Sequence, residues 1–184
     1  MWATCFLRPP GGATGVHLSA EAGYKETSIG RLLQLSKVEV HKEAGKSKIK
    51  RIQIEGFPEV IRMGVHGGIA EFFKVTPDEP LASTLDYVVA AVGGCMTGTL
   101  AGALEGRGIS ADPEKLEAHA EGRMEEVDGK LLLTHVTVKY RLKVPKDRRE
   151  AAERALEHHA SRCPVSESVK RGISVEFVSE IVEE

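Results

Sequence analysis

Cysteine is scarce in this chain. Only Cys5, Cys95 and Cys163 occur among its 184 residues. An odd count of three does not make the disulfide framework of a small secreted domain, so a reducing, cytoplasmic compartment is expected. CxxC, HExxH and GxGxxG patterns are missing too. The seven histidines are scattered apart from His158-His159, and neighbours on a helix diverge by about 100°, a poor metal clamp. No metal or organic cofactor is expected. Charge of one sign is not in excess: the net value is −2, which gives no global attraction to nucleic acid or membranes. No apolar run approaches the roughly 20 residues of a membrane span. The start, Met1 to Pro10, does not read as a secretion signal, because Arg8, Pro9 and Pro10 interrupt a short apolar stretch.

What remains is one domain of ordinary size, 41% hydrophobic, spanning 1–184. Residues 1 to about 30 are rich in Gly, Ala and Pro and lack periodicity, as an irregular extension would. Lys37 to His41 alternates like a strand, Ala44 to Ser47 reads as a turn, and Ile49, Ile52 and Ile54 continue as a second strand. Val60 to Val65 suggests a third. Gly64, Gly67 and Gly68 flank a loop.

Ser83 to Leu104 is too long for a strand. Leu85, Val88, Val89, Val92 and Met96 recur at helical spacing, and the opposite side is Ala and Gly. Such a helix belongs in a core or a subunit interface. Asp128-Gly129 joins two alternating segments, Lys115 to Glu125 and Leu132 to Val144, as a hairpin. A charged helix follows from Pro145 to about Arg162. A short one runs from Pro164 to Gly172, and a terminal strand begins at Ile173. Antiparallel strands segregated from helices indicate an α+β fold.

The chemistry-bearing residues are few. Cys95 lies in the apolar helix just after Gly93-Gly94; alone, it reads as a packed core thiol. Cys163 immediately precedes Pro164, a residue suited to the first helical position. There the helix N-terminus favours a thiolate, and a simple capping role is the alternative. Ser83-Thr84-Leu85-Asp86 reads as a capping box, with the acid reaching back to the N-cap amide. Asp86 is nine residues before Cys95, which on a straight helix is the opposite face and roughly 13–14 Å along the axis. Arg51 and Arg62 read as solvated strand arginines, and His66 as a loop histidine.

The run from Pro80 to Met96, followed 68 positions after Cys95 by Cys163-Pro164-Val165-Ser166, resembles the OsmC/Ohr family of small hydroperoxide reductases. The resemblance covers roughly residues 36 to 182 in element order. It implies an OsmC-like fold of antiparallel sheets with a long buried central helix. It implies an intertwined homodimer with active sites at the subunit interface. It also implies that Cys95 attacks an organic hydroperoxide and that Cys163 resolves the resulting sulfenic acid. A dithiol reductant of lipoyl or thioredoxin type would then regenerate the enzyme.

Two departures from the family pattern stand out. Leu85 occupies the place of the family's catalytic glutamate, leaving Asp86 as the only nearby acid. The activating arginine is either Arg51 or Arg62. Val92, Met96, Phe72 and Phe73 are expected to line an apolar entrance. The rival reading is a non-catalytic or weakly active ligand-binding, stress-associated dimer on the same scaffold.

Overall fold

The computed structural model describes residues 31–172. Cys5, the N-terminal extension and the expected terminal strand lie outside them. Three strands, β1 (Val38–Glu43), β2 (Lys46–Ile54) and β3 (Val60–Met63), form an antiparallel sheet in that order. Gly45 turns β1 into β2 with a φ of +72°, a conformation that favours glycine. A short helix, α1 (Gly67–Phe72), follows where the glycines suggested only a loop. Six residues are too few for a helical period to be read in sequence.

Helix α2 (Thr84–Glu105) is the 22-residue spine of the molecule. The expected capping box is present: Ser83 Oγ accepts from the Asp86 N–H at 3.2 Å, and Asp86 Oδ2 accepts from the Ser83 N–H at 2.7 Å. Gly93-Gly94 does not break the helix, because β4 packs against that point. A Cβ on Gly93 would lie 2.7 Å from Ala120 Cβ, and one on Gly122 would meet Val89 and Leu133. These two glycines set how closely helix and hairpin approach.

The absence of a membrane-length segment read from the sequence is corrected here. Helix α2 is long and apolar enough to cross a bilayer, with a mean hydropathy of 1.5 over its best window. It packs instead on β4, β5, α3 and α4. Its own chain still buries only 28% of that window. Gly94, Gly98 and Gly102 follow one another at four-residue steps with nothing of this subunit within 4 Å of a would-be Cβ.

The hairpin is β4 (Leu116–Val127) and β5 (Lys130–Leu142), with Asp128 and Gly129 both at positive φ. A turn of 3-10 helix, Lys146–Arg148, leads into α3 (Arg149–Arg162), and α4 (Pro164–Arg171) begins one residue later. Leu100, Leu104, Ile109, Leu116, Ala152 and Ala155 form the main core where α2, α3 and the hairpin meet. The fold is α+β, with small antiparallel sheets and a long central helix, as the pattern of elements implied.

Candidate active site

Helix α2 holds Cys95 halfway along its length, and the junction between α3 and α4 holds Cys163. Both thiols are free. Cys163 ends α3 with extended backbone (φ −76°, ψ 114°), which aims its side chain along the first turn of α4. Its sulfur accepts from the Ser166 N–H at 3.5 Å, so the capping role is real. The residue is fully buried, whereas Cys95 is half-buried.

The two thiols lie close enough to perturb each other: Cys163 disfavours the Cys95 thiolate, and Cys95 favours that of Cys163. Burial pushes the Cys163 thiol up. The Ser166 N–H, the Cys95 thiol, the Thr99 hydroxyl and the Val165 N–H outweigh burial and carry it below its ordinary value. At Cys95 the Val165 N–H favours the thiolate, but desolvation and the facing Cys163 charge prevail and raise it. Of the two, Cys163 is the thiol whose thiolate is favoured. Helix-terminus electrostatics, which pointed to Cys163 as the more acidic thiol, agree with this.

Sequence reasoning missed the shell around the sulfurs. Thr99 lies one turn beyond Cys95 on the same face, and that spacing was the available signal. Its hydroxyl bonds Cys95 O at 2.8 Å. Near Cys163 the buried His159 meets the partly buried Tyr140 edge to face, with ring centroids 5.3 Å apart. His159 Nδ1 donates to Leu156 O at 2.7 Å, which leaves Nε2 to accept from the Tyr140 hydroxyl at 3.2 Å. Burial raises the Tyr140 phenol; the Thr97 hydroxyl opposes that shift and the Cys163 charge adds to it.

The other expected site residues gather elsewhere, at the start of α2. Arg62 donates to Glu43 through Nε (2.8 Å) and Nη2 (2.7 Å), and its Nη1 pairs with Glu79 at 2.9 Å. Lys46 also bonds Glu79. Bonds from Arg62 and Lys46 hold the Glu79 carboxyl at about 2. Arg51 meets only Glu43, at 3.6 Å, and is half exposed. Asp86 Oδ2 accepts from the Ser83 N–H, the Ser83 hydroxyl and His66 Nε2, each at 2.7 Å. Burial works against this carboxylate, yet the bonds from His66 and Ser83 keep it below its ordinary value.

Among the described residues, the groups that bear most on Cys95 are Val165, Cys163 and Thr99, none of them an arginine. Of the four residues expected to line one entrance, Val92, Met96 and Phe73 do not border the cleft that holds Phe72. Phe72 belongs to a cleft of about 550 Å³ between α1 and the hairpin, with His66, Ile69, Met124 and Leu131. The reason is the unforeseen helix α1, which carries Phe72 to the hairpin and leaves Phe73 exposed.

Among solved structures, an OsmC-like protein from Mycoplasma pneumoniae aligns with a TM-score of 0.57 at 12% identity, over 76% of this chain and 89% of that one. An OsmC-like protein of unknown function from Vibrio cholerae gives 0.55 at 14%, over 83% and 100%. An organic hydroperoxide resistance protein from Elizabethkingia anophelis gives 0.54 at 12%, over 75% and 89%. At such identities the likeness is one of fold. Comparison with curated proteins yields no match. The family profile described as OsmC-like protein matches residues 77–178, more than half of the chain and the stretch that holds Asp86, Cys95 and Cys163. The chain belongs to the OsmC-like family.

Proposed function

We propose that this protein is a thiol peroxidase that reduces organic hydroperoxides to alcohols, with Cys95 as the attacking and Cys163 as the resolving thiol. The observation that carries the reading is the closeness of one reachable and one sealed thiol in the same subunit, each near enough to shift the other's acidity. A peroxide must touch the sulfur it oxidises, and Cys163 offers no surface to it. A resolving thiol needs only to reach its partner. Accessibility supports these roles despite the lower acidity of Cys95, since a proton passes readily between neighbouring thiols.

The Cys95 thiolate attacks the terminal peroxide oxygen, the O–O bond breaks, and the leaving alkoxide takes a proton to become the alcohol. Cys95 is left as a sulfenic acid. Cys163 sulfur then displaces water from it to form a disulfide. A dithiol of lipoyl or thioredoxin type restores both thiols by exchange and is itself oxidised to a disulfide. The short distance protects Cys95 from a second peroxide.

The working form in this reading is a homodimer. Few residues of helix α2 are fully buried by their own chain, and Val88 is exposed. Val38, Val40, Phe57, Val60 and Val88 are exposed along the first sheet and helix. A second copy covering these faces would also bring a partner arginine toward Cys95. Arg51, with its long, single ion pair, is freer for that than the doubly held Arg62. Asp86 is a helix cap in this scheme. A cytoplasmic, reducing setting fits the free thiols.

The rival, a binding dimer with idle thiols, draws on the raised Cys95 thiol and on the lack of an arginine among the described groups that bear most on it. Stopped-flow oxidation of the reduced protein by cumene hydroperoxide separates them. A rapid loss of two thiols per chain, with formation of an intrachain Cys95–Cys163 disulfide, is expected. Thiols that survive excess peroxide sink the peroxidase.

A further inference from the structure

Helices α2 and α3 do not close fully against each other. Ala103 and Ala155 meet where larger side chains would have filled the gap, and a cavity of about 410 Å³ opens there. That volume lies in the range of small-molecule sites, about 300–1,000 Å³. Its two walls carry cations. Thr99, Ala103 and Arg107 follow one another at four-residue steps along α2 and just past its end. Ala155, His158 and Arg162 follow along α3.

The two arginines differ from most others in the molecule. Arg51, Arg62, Arg123, Arg141, Arg148, Arg149, Arg154 and Arg171 each lie against a carboxylate. Arg107 and Arg162 have no such partner among the described residues. Arg107 directs Nη1 to Ala103 O at 2.7 Å, which steadies the guanidinium at the mouth and leaves its other donors unused. Arg162 makes no side-chain hydrogen bond among the described residues. Among the described residues, a cavity edged by two guanidinium groups without a carboxylate partner is short of negative charge. Thr99 ties the cavity to the thiols, because the same side chain lines it and bears on both Cys95 and Cys163.

We propose that the cleft between α2 and α3 binds the carboxylate of a small organic anion. The planar guanidinium fork matches a carboxylate in two parallel hydrogen bonds. The carbon chain of the ligand lies over Ala103 and Ala155, toward Thr99 and the sulfurs beyond. In the thiol-peroxidase reading, on which this step rests, the anion is a reactant: either the hydroperoxide or the dithiol carries the carboxylate.

The binding is tested first without turnover, on the full reduced chain, by calorimetric and amide-NMR titration with benzoate and with uncharged benzamide. Saturable benzoate binding is expected, with shifts at Thr99 and Arg162 and none from benzamide. Arg107→Gln with Arg162→Gln should weaken benzoate at least tenfold, and the paired change of both to Lys, which keeps the charge but not the fork, should bind more weakly than the parent and more tightly than the glutamine pair. Both arginines are exposed, so neither change should unfold the protein, and NMR spectra report that directly. Equal binding of benzamide, no saturation, or a glutamine pair that binds like the parent overturns the proposal, whatever becomes of the peroxidase.

Two kinetic arms then name the source. Faster Cys95 oxidation by a carboxylate-bearing alkyl hydroperoxide than by its methyl ester assigns the pocket to the substrate. Faster disulfide reduction by dihydrolipoate than by dihydrolipoamide assigns it to the reductant. No preference in either step overturns its place in the reaction.

Discussion

Two stretches of helix α2 are built on opposite plans. At its start every ionisable group is answered. Asp86 takes three hydrogen bonds, and Glu79 and Glu43 share Arg62, Lys46 and Arg51. Halfway along, two thiols face each other with backbone N–H groups and a hydroxyl for company. The first plan stabilises charges that stay put. The second sets two thiols of unequal acidity side by side, the arrangement that the proposed redox chemistry would use. A charged cluster near a helix start is therefore the less informative landmark here, although it contains more polar residues.

The sharpest way to break this contrast is to remove each sulfur. Cys95→Ser should abolish consumption of cumene hydroperoxide. Cys163→Ser should keep one rapid turnover and then gain a second oxygen on Cys95, as sulfinic acid, visible by intact mass. A Cys163→Ser protein that is dead, beside a Cys95→Ser protein that turns over once, reverses the roles. If both consume peroxide like the parent, the thiols are idle.

The arginines sharpen it next. If Arg51 assists Cys95 across a dimer, Arg51→Gln should slow Cys95 oxidation about tenfold near neutral pH, the effect of losing roughly one unit of thiol acidity. Its midpoint of denaturation should hardly change. Arg62→Gln should do the reverse, lowering stability while leaving the oxidation rate near that of the parent. Matching phenotypes for the two would erase the distinction between a working and a structural arginine.

Ser83→Ala removes the N-cap oxygen and one bond to Asp86, and should cost about 1 kcal/mol in urea denaturation. Peroxide turnover should survive it. A large loss of turnover at unchanged stability would move Asp86 from capping into catalysis.

The smallest effect is the response to acid. The folded carboxyls of Glu79 (about 2), Glu43 and Asp86 all lie below their ordinary values near 4. Groups lowered by folding contribute stability above their ordinary pKa and lose it as pH falls through the folded one. Thermal stability should therefore decline between about pH 4.5 and 2, and Glu79→Gln should flatten the slope. Because these pairs are partly exposed, the slope should be shallow and should shrink further in salt. A Glu79→Gln protein with the parent's slope would show that the cluster stores nothing.

The parts of this architecture that local chemistry dictates could be read directly from the chain. The capping box placed the start of α2 within a residue, Asp128-Gly129 placed the hairpin turn, and Cys163-Pro164 placed the start of α4. Elements that depend on distant partners could not. Helix α1 is one short turn of helix, and the neighbours of Cys95 come from residues about 70 positions away at Val165. Arg51 and Arg62 sit opposite each other on β2 and β3. Only the paths of Glu43 and Glu79 decide which of them is immobilised. The 22 residues of α2 were legible as a helix, but its neighbours β4, β5, α3 and α4 were not, because contacts between distant segments leave no local sequence pattern.

The sulfur of Cys163 is also the first support of helix α4, through the Ser166 N–H. Any bond that draws this sulfur toward Cys95 competes with that support, and a disulfide sulfur is a poorer acceptor than a thiolate. Oxidation would then be felt as slack in the opening turn of α4, around Val165 and Ser166, with faster amide exchange there than in α3. The chemistry of two atoms would be written into the mobility of a helix, which a reducing partner could read before it touches either sulfur.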